Sequence, residues 1–140
     1  MVVPVSDTRA MIAGMDPVLD DAVYVFCSLP ACGTGTAGAA VPLAMFMEDE
    51  GISMVLRADD ANAHDLEKSP PMRRITMSVH SSLDGVGLTA AVSGALAEAG
   101  IACNVIAAFH HDHLFVPAGD AEKAMQVLLD LQTGTNSPGA

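Results

Sequence analysis

The sequence predicts an α+β protein in which helices back a sheet, and three observations carry that prediction. Residues 74–80 alternate in the period of a strand and lead through a glycine-bearing loop into a helix-period stripe. After Gly100 comes a run rich in β-branched residues, then a polar turn and another short apolar run. A second helix-period segment follows from Asp120. The order is β-α-β-β-α, a split β-α-β pattern in which a helix crossover joins strands of one sheet.

Each element has its own warrant. In RITMSVH, Ile75, Met77 and Val79 alternate with Arg74, Thr76, Ser78 and His80, as a strand with one face on a core requires. Beyond SSLDGVG, the residues Leu88, Ala91, Val92, Ala95, Leu96 and Ala99 fall at i, i+3, i+4 and i+7, the stripe of an amphipathic helix. Gly100 stops that helix by accepting the left-handed backbone at its end. IACNVIAAF reads as a buried strand, HHD as a turn and HLFVPA as its partner strand. Asp120 is a natural N-cap for a helix that turns Ala121, Ala124, Met125 and Leu128 inward.

Composition narrows the function classes. The chain has 140 residues, enough for one domain or two small ones, and 51% of them are hydrophobic, with no Trp and a single Tyr. Six basic residues against 17 acidic ones give a formal charge of -11, which repels a phosphate backbone and argues against nucleic acid as a partner. The longest apolar stretch, Ala37 to Met47, contains Pro42 and is shorter than the roughly 20 residues of a bilayer helix, so no membrane span is expected. MVVPVSDTR lacks the basic start and apolar core of an export leader, which makes a cytoplasmic location the expectation. Cys27, Cys32 and Cys103 are odd in number and show no C-x-x-C spacing, so neither a disulfide framework nor a zinc site is indicated.

The first half repeats the second in outline. VYVFCSL reads as a strand, VPLAMFMEDE as a helix with Pro42 in its first turn, and Gly51-Ile52 as the entry to the strand ISMVL, paralleling Gly100-Ile101 before IACNVI. RADDANAHDLEK then reads as a short polar helix or loop with no hairpin strand before it. The halves are expected to complete one another's sheets, with Ala10 to Leu19 closing an edge. Ser69-Pro70-Pro71 marks the boundary, giving a degenerate N-terminal module at 10–68, a second module at 72–132 and a disordered tail at 133–140.

The segment DGVGLTAAVSGALAEAGIACNVI, followed by a short strand and a helix opening AEKAM, resembles an ACT domain, the small-molecule-binding regulatory module attached to aspartate kinase and other amino-acid enzymes. With YVFCSLP, VPLA, EGISMVL and HDHLFVP added, most of the chain is similar to small free-standing tandem ACT proteins, and its second module to arginine-sensing ones. The resemblance implies two ferredoxin-like modules of βαββαβ type with helix-backed sheets. It also implies an amino acid or related metabolite held between modules or subunits. It places the ligand at the loop Ser81, Ser82, Leu83, Asp84, Gly85, Val86 and Gly87 and at the start of the next strand, Asn104 and Val105. Physical chemistry agrees: amide groups in the first helical turn form an anion site for a carboxylate, Asp84 is placed to meet an amine, and Asn104 offers a donor and an acceptor. The competing account is local, with Asp84 capping the helix and the glycines shaping a turn.

Other motifs carry less. Gly33 to Gly38 spells G-x-G-x-x-G, but the extra loop before it and the absence of a β-α repeat favour a surface loop over a dinucleotide site. His110, His111, Asp112 and His113 are a dense set of metal-capable residues, with His64 or His80 as further ligands, yet no zinc spacing is matched and a polar hairpin accounts for them. Pairing Cys27 or Cys103 with a histidine would make a nucleophile, but a thiol on the core phase of a strand is inert. The expectation is a non-catalytic, cofactor-free, amino-acid-binding regulatory homodimer. The alternative is a protein of the same fold that binds no ligand and serves as an adaptor for an amino-acid-pathway enzyme.

Overall fold

The computed structural model describes residues 7–30, 41–63, 66–79 and 85–134. The chain divides into two compact units, one comprising Met1–Asp21 with Arg73–Ala140 and the other Ala22–Met72. Strand β1, Pro17–Pro30, contributes its first five residues to the former and the rest to the latter.

In the first unit, helix α1 spans Thr8–Ala13, and Asp7 caps it by accepting from the Ala10 amide at 3.1 Å. Strand β5, Met72–Met77, is followed by helix α3, Leu88–Glu98. The β6–β7 hairpin, Asn104–Ala107 and Asp112–Pro117, leads into helix α4, Ala121–Thr133. The sheet runs β6-β7-β5-β1. Its core is the predicted one: Ile75, Met77 and Val79 from β5 and its extension, Leu88, Val92 and Leu96 from α3, and Ala121, Ala124 and Leu128 from α4. Met11 and Met15, from α1 and the turn after it, are at most 1% exposed and complete it. Each large side chain so buried contributes about 1.5–3 kcal/mol of transfer free energy.

Two features of this unit differ from expectation. The segment after Gly100 is not a wholly buried strand. Only Ile101 is buried, and the paired residues begin at Asn104, because β6 is an edge strand whose other side lacks a neighbour among the described residues. Asp120 occupies the N-cap of α4 but makes no side-chain capping bond, since a 3-10 turn, Ala118–Asp120, tightens the entry instead.

In the second unit, strand β2, Ala44–Glu48, pairs antiparallel with β3, Gly51–Arg57, and β3 pairs antiparallel with β1. Strand β4, Glu67–Lys68, pairs with Cys27 and Ser28 of β1. Helix α2, Ala58–Ala63, carries Asp59 and Asp60 in its first turn, where the helix dipole favours them. Val25, Cys27, Met54, Leu56, Ala61 and Leu66 form the core. The order is β2-β3-β1-β4, so each unit sets its sheet out as second, third, first and fourth strand. In the first unit the start of β1 takes the fourth place.

The helix expected over VPLAMFMEDE is therefore wrong, and so is the expectation that no hairpin strand precedes the polar segment. Glu48, Asp49 and Glu50 would have crowded the negative end of that helix, and Met45, Phe46 and Met47 are 59–72% exposed, so no apolar stripe is buried. Asp49 and Glu50 instead form a two-residue turn, with Glu48 opposite Gly51. Gly51 thus belongs to a hairpin, whereas Gly100, at φ 75°, ends a helix. The textual parallel between them is accidental. The true internal repeat lies in the strand order.

Candidate functional site

The helix start that the sequence singles out is where it was expected. Gly87 is the N-cap of α3 at φ 106°, a backbone conformation that side chains avoid, and its carbonyl accepts from the Ala91 amide at 2.9 Å. Gly87 has no side chain with which to cap this end itself. The first amides of an α-helix have no partner within it, so Leu88, Thr89 and Ala90 present donors at the positive end of the helix dipole. Gly85 is half-buried and Val86 is 78% exposed. Ser81, Ser82, Leu83 and Asp84 lie outside the described residues.

Helix α3 and strand β6 meet here. Leu88, Thr89 and Val92 line a hollow of about 10 Å³ together with Met77, Val105, Asp112 and Leu114, room for about one water. Val105 is thus brought beside the helix start. Asn104 lies one residue earlier, opposite Phe115, with its side chain exposed, and does not line the hollow.

Sequence reasoning missed two participants. The first is Asp112, read only as a metal candidate, which is among the residues that line the hollow. Burial pushes its pKa above the ordinary 3.8, against the opposing pull of His113 and His111. The second is Thr8, whose hydroxyl donates to the Val86 carbonyl and whose side chain packs against Gly87. Nothing local signals a contact between residues 78 positions apart.

The histidine cluster serves the sheet. His113 Nδ1 lies 3.1 Å from Thr76 Oγ1 and His111 Nδ1 lies 3.4 Å from the Val79 carbonyl, so both side chains tie β7 and its approach to β5 and the residues after it. Burial lowers the His113 pKa below 6.5, helped by Arg74 and His111 and opposed by Asp112. Arg74 itself pairs with Asp20 at 2.7 Å. Among the described residues no group of three or more His, Cys, Asp or Glu could hold a metal ion. His64 and His80, Cys32 and the residues 33–38 of the glycine motif lie outside the described residues. Burial raises the thiol pKa of both Cys27 and Cys103, away from the reactive thiolate.

A wider depression, about 350 Å³, lies in the other unit between Cys27, Ser28, Ser53 and the segment Glu67 to Ser69. The Ser69 hydroxyl there is already engaged by the Phe26 amide and the Pro70 carbonyl, each at 2.9 Å. No helix of the described residues is long and apolar enough to cross a membrane.

Comparison with known proteins places the fold. Residues 4–73 and residues 71–130 each match an ACT domain. A search of curated proteins finds no match. Among solved structures, a Vibrio cholerae protein of unknown function, described as a possible transport protein, is 40% identical with a TM-score of 0.79, over 89% of this chain and 94% of its own. An Agrobacterium tumefaciens protein is 22% identical with a TM-score of 0.70, over 83% of this chain and 87% of its own. The regulatory subunit of aspartate kinase from Thermus flavus shares the fold at 13% identity and a TM-score of 0.61, over 82% of this chain and 95% of its own.

Proposed function

The chain belongs to the ACT-domain family, with two such domains in tandem, and from that premise we propose that it is a non-catalytic regulatory protein that binds a small amino acid. The carboxylate sits on the α3 amides beside Gly87, within the loop Ser81 to Gly87, and the amine faces Asp84 or Asp112. Asn104 and Val105 border the site. One observation supports the reading: a helix N-terminus opens beside a glycine-shaped bend, next to a hollow that Asp112 helps to line. That hollow is water-sized, so the ligand lies across its mouth over the helix end.

The protein acts in the cytoplasm as a homodimer, and the ligand biases assembly only as far as it prefers one arrangement over another. A thermal-shift screen across the twenty common L-amino acids tests this. A specific binder present at 100 times its Kd stabilises the native state by about 2.7 kcal/mol, a rise in Tm of several degrees. Flat curves for every amino acid, with an amino-acid-pathway enzyme co-purifying, favour the adaptor alternative instead.

A further inference from the structure

The loop assigned to the ligand is held at both ends by one distant piece of chain. At its entry, the Ser78 amide donates to the Met15 carbonyl at 2.6 Å and the Val79 amide does so at 3.4 Å. At its exit, the Thr8 hydroxyl donates to the Val86 carbonyl. A Cβ added to Gly87 would meet Thr8 Cγ2 and Oγ1 at 2.9 Å, so Thr8 occupies the space that the missing side chain leaves open. Thr8 opens α1 and Met15 lies just past its end, and that short helix is itself fixed. Asp7 caps it, Met11 and Met15 are sunk in the core, and the Gln132 amide of α4 donates to Ala13 O at 2.9 Å and to Asp16 Oδ1 at 2.6 Å.

We infer that residues 7–16 form a clamp on the ligand loop, with Thr8 as the positioning residue that fixes where the first amides of α3 point. Resting on the amino-acid reading of that loop, the clamp also supplies its regulation. A ligand that draws the Val86–Gly87 peptide toward itself pulls on Thr8, and α1 passes that displacement through Met15 and Asp16 into β1. A ligand that fits the clamped geometry finds its donors already aligned, and one that does not must first break the Thr8 bond.

The experiment is amide hydrogen exchange on the full chain with Thr8→Val, which keeps the shape and removes the hydroxyl, and Thr8→Ser, which keeps the hydroxyl. Exchange at the Ala91 amide, which donates to the Gly87 carbonyl at the start of α3, rises about tenfold in Thr8→Val, the loss of one hydrogen bond, and returns toward wild type in Thr8→Ser. The amides of Leu96, Leu114 and Leu128 keep their wild-type rates. Wild-type exchange at Ala91 in the valine variant overturns the clamp, and so does a uniform rise that includes the three leucines, because Thr8 then contributes only to global stability. A parallel arm adds an equimolar mixture of the twenty common L-amino acids to the wild-type protein. No slowing at 86–90 there overturns the amino-acid reading, while the two variants still decide the clamp.

Discussion

The two units lay out their strands in the same order, yet their described residues bury very different amounts. Fourteen described residues make the core around α3 and α4, and six make the core around α2. The exposed large apolar side chains cluster in the second unit, where Val41, Leu43, Met45, Phe46 and Met47 are 41–88% exposed. A strand order is thus compatible with a deep core or a shallow one. Among the described residues, helices of 11 and 13 residues accompany the larger core and a helix of six the smaller one. The unit with the deep core also holds the candidate site, where three amide donors and a bend must keep their geometry.

The contrast can be broken by mutation. Leu96→Ala, at a fully buried position, costs about 2–5 kcal/mol in a denaturation titration, while Phe46→Ser, at an exposed one, stays within about 0.5 kcal/mol. Equal costs would mean that β2 is covered in solution. A smaller effect is expected at the bend. Gly87→Ala combines a φ of 106° with contact at 2.9 Å to Thr8 and costs about 1–3 kcal/mol, together with loss of any amino-acid-dependent thermal shift. Retained binding in that variant would move the site elsewhere.

The smallest effect is the pH dependence of Asp112. Its folded pKa is raised, so its contribution favours the native state below 3.8, where folded and unfolded forms are both protonated, and is lost as pH rises through the folded value. At neutral pH the group is a desolvated charge. Asp112→Asn therefore stabilises the protein at pH 7, with a difference that shrinks toward pH 3.8, as read from denaturation midpoints across that range. His113 has the opposite displacement. Below pH 6.5 the unfolded chain takes up a proton that the buried ring refuses, so the His113 contribution falls on acidification and levels off once pH has dropped through the lowered folded value.

Much of the deep unit was legible because its signals are local and periodic. The alternation of Ile75, Met77 and Val79, the stripe from Leu88 to Leu96 and the stop at Gly100 each follow from side-chain spacing and one backbone conformation. The segment around Met45 was not legible in the same way. An apolar run of that length fits a helix or a strand, and only the carboxylates of Glu48, Asp49 and Glu50 argued against the helix. The site was half legible. Gly87 announces the bend and Val105 the neighbouring strand, whereas Asp112 reaches the hollow through hairpin register and Thr8 reaches the loop from the other end of the chain. Spacing carries no information about either.

The passage of β1 through both units has a consequence for how the protein is born. On a ribosome, Asp7 to Asp21 emerges before Arg73 to Gly134 and finds its partners only once that later segment has been synthesised, so the larger described core closes after the smaller one can. Until then Met11, Met15 and the leading five residues of that strand wait without a sheet to join, and a nascent chain stalled near residue 72 would carry one finished half and an adhesive leader.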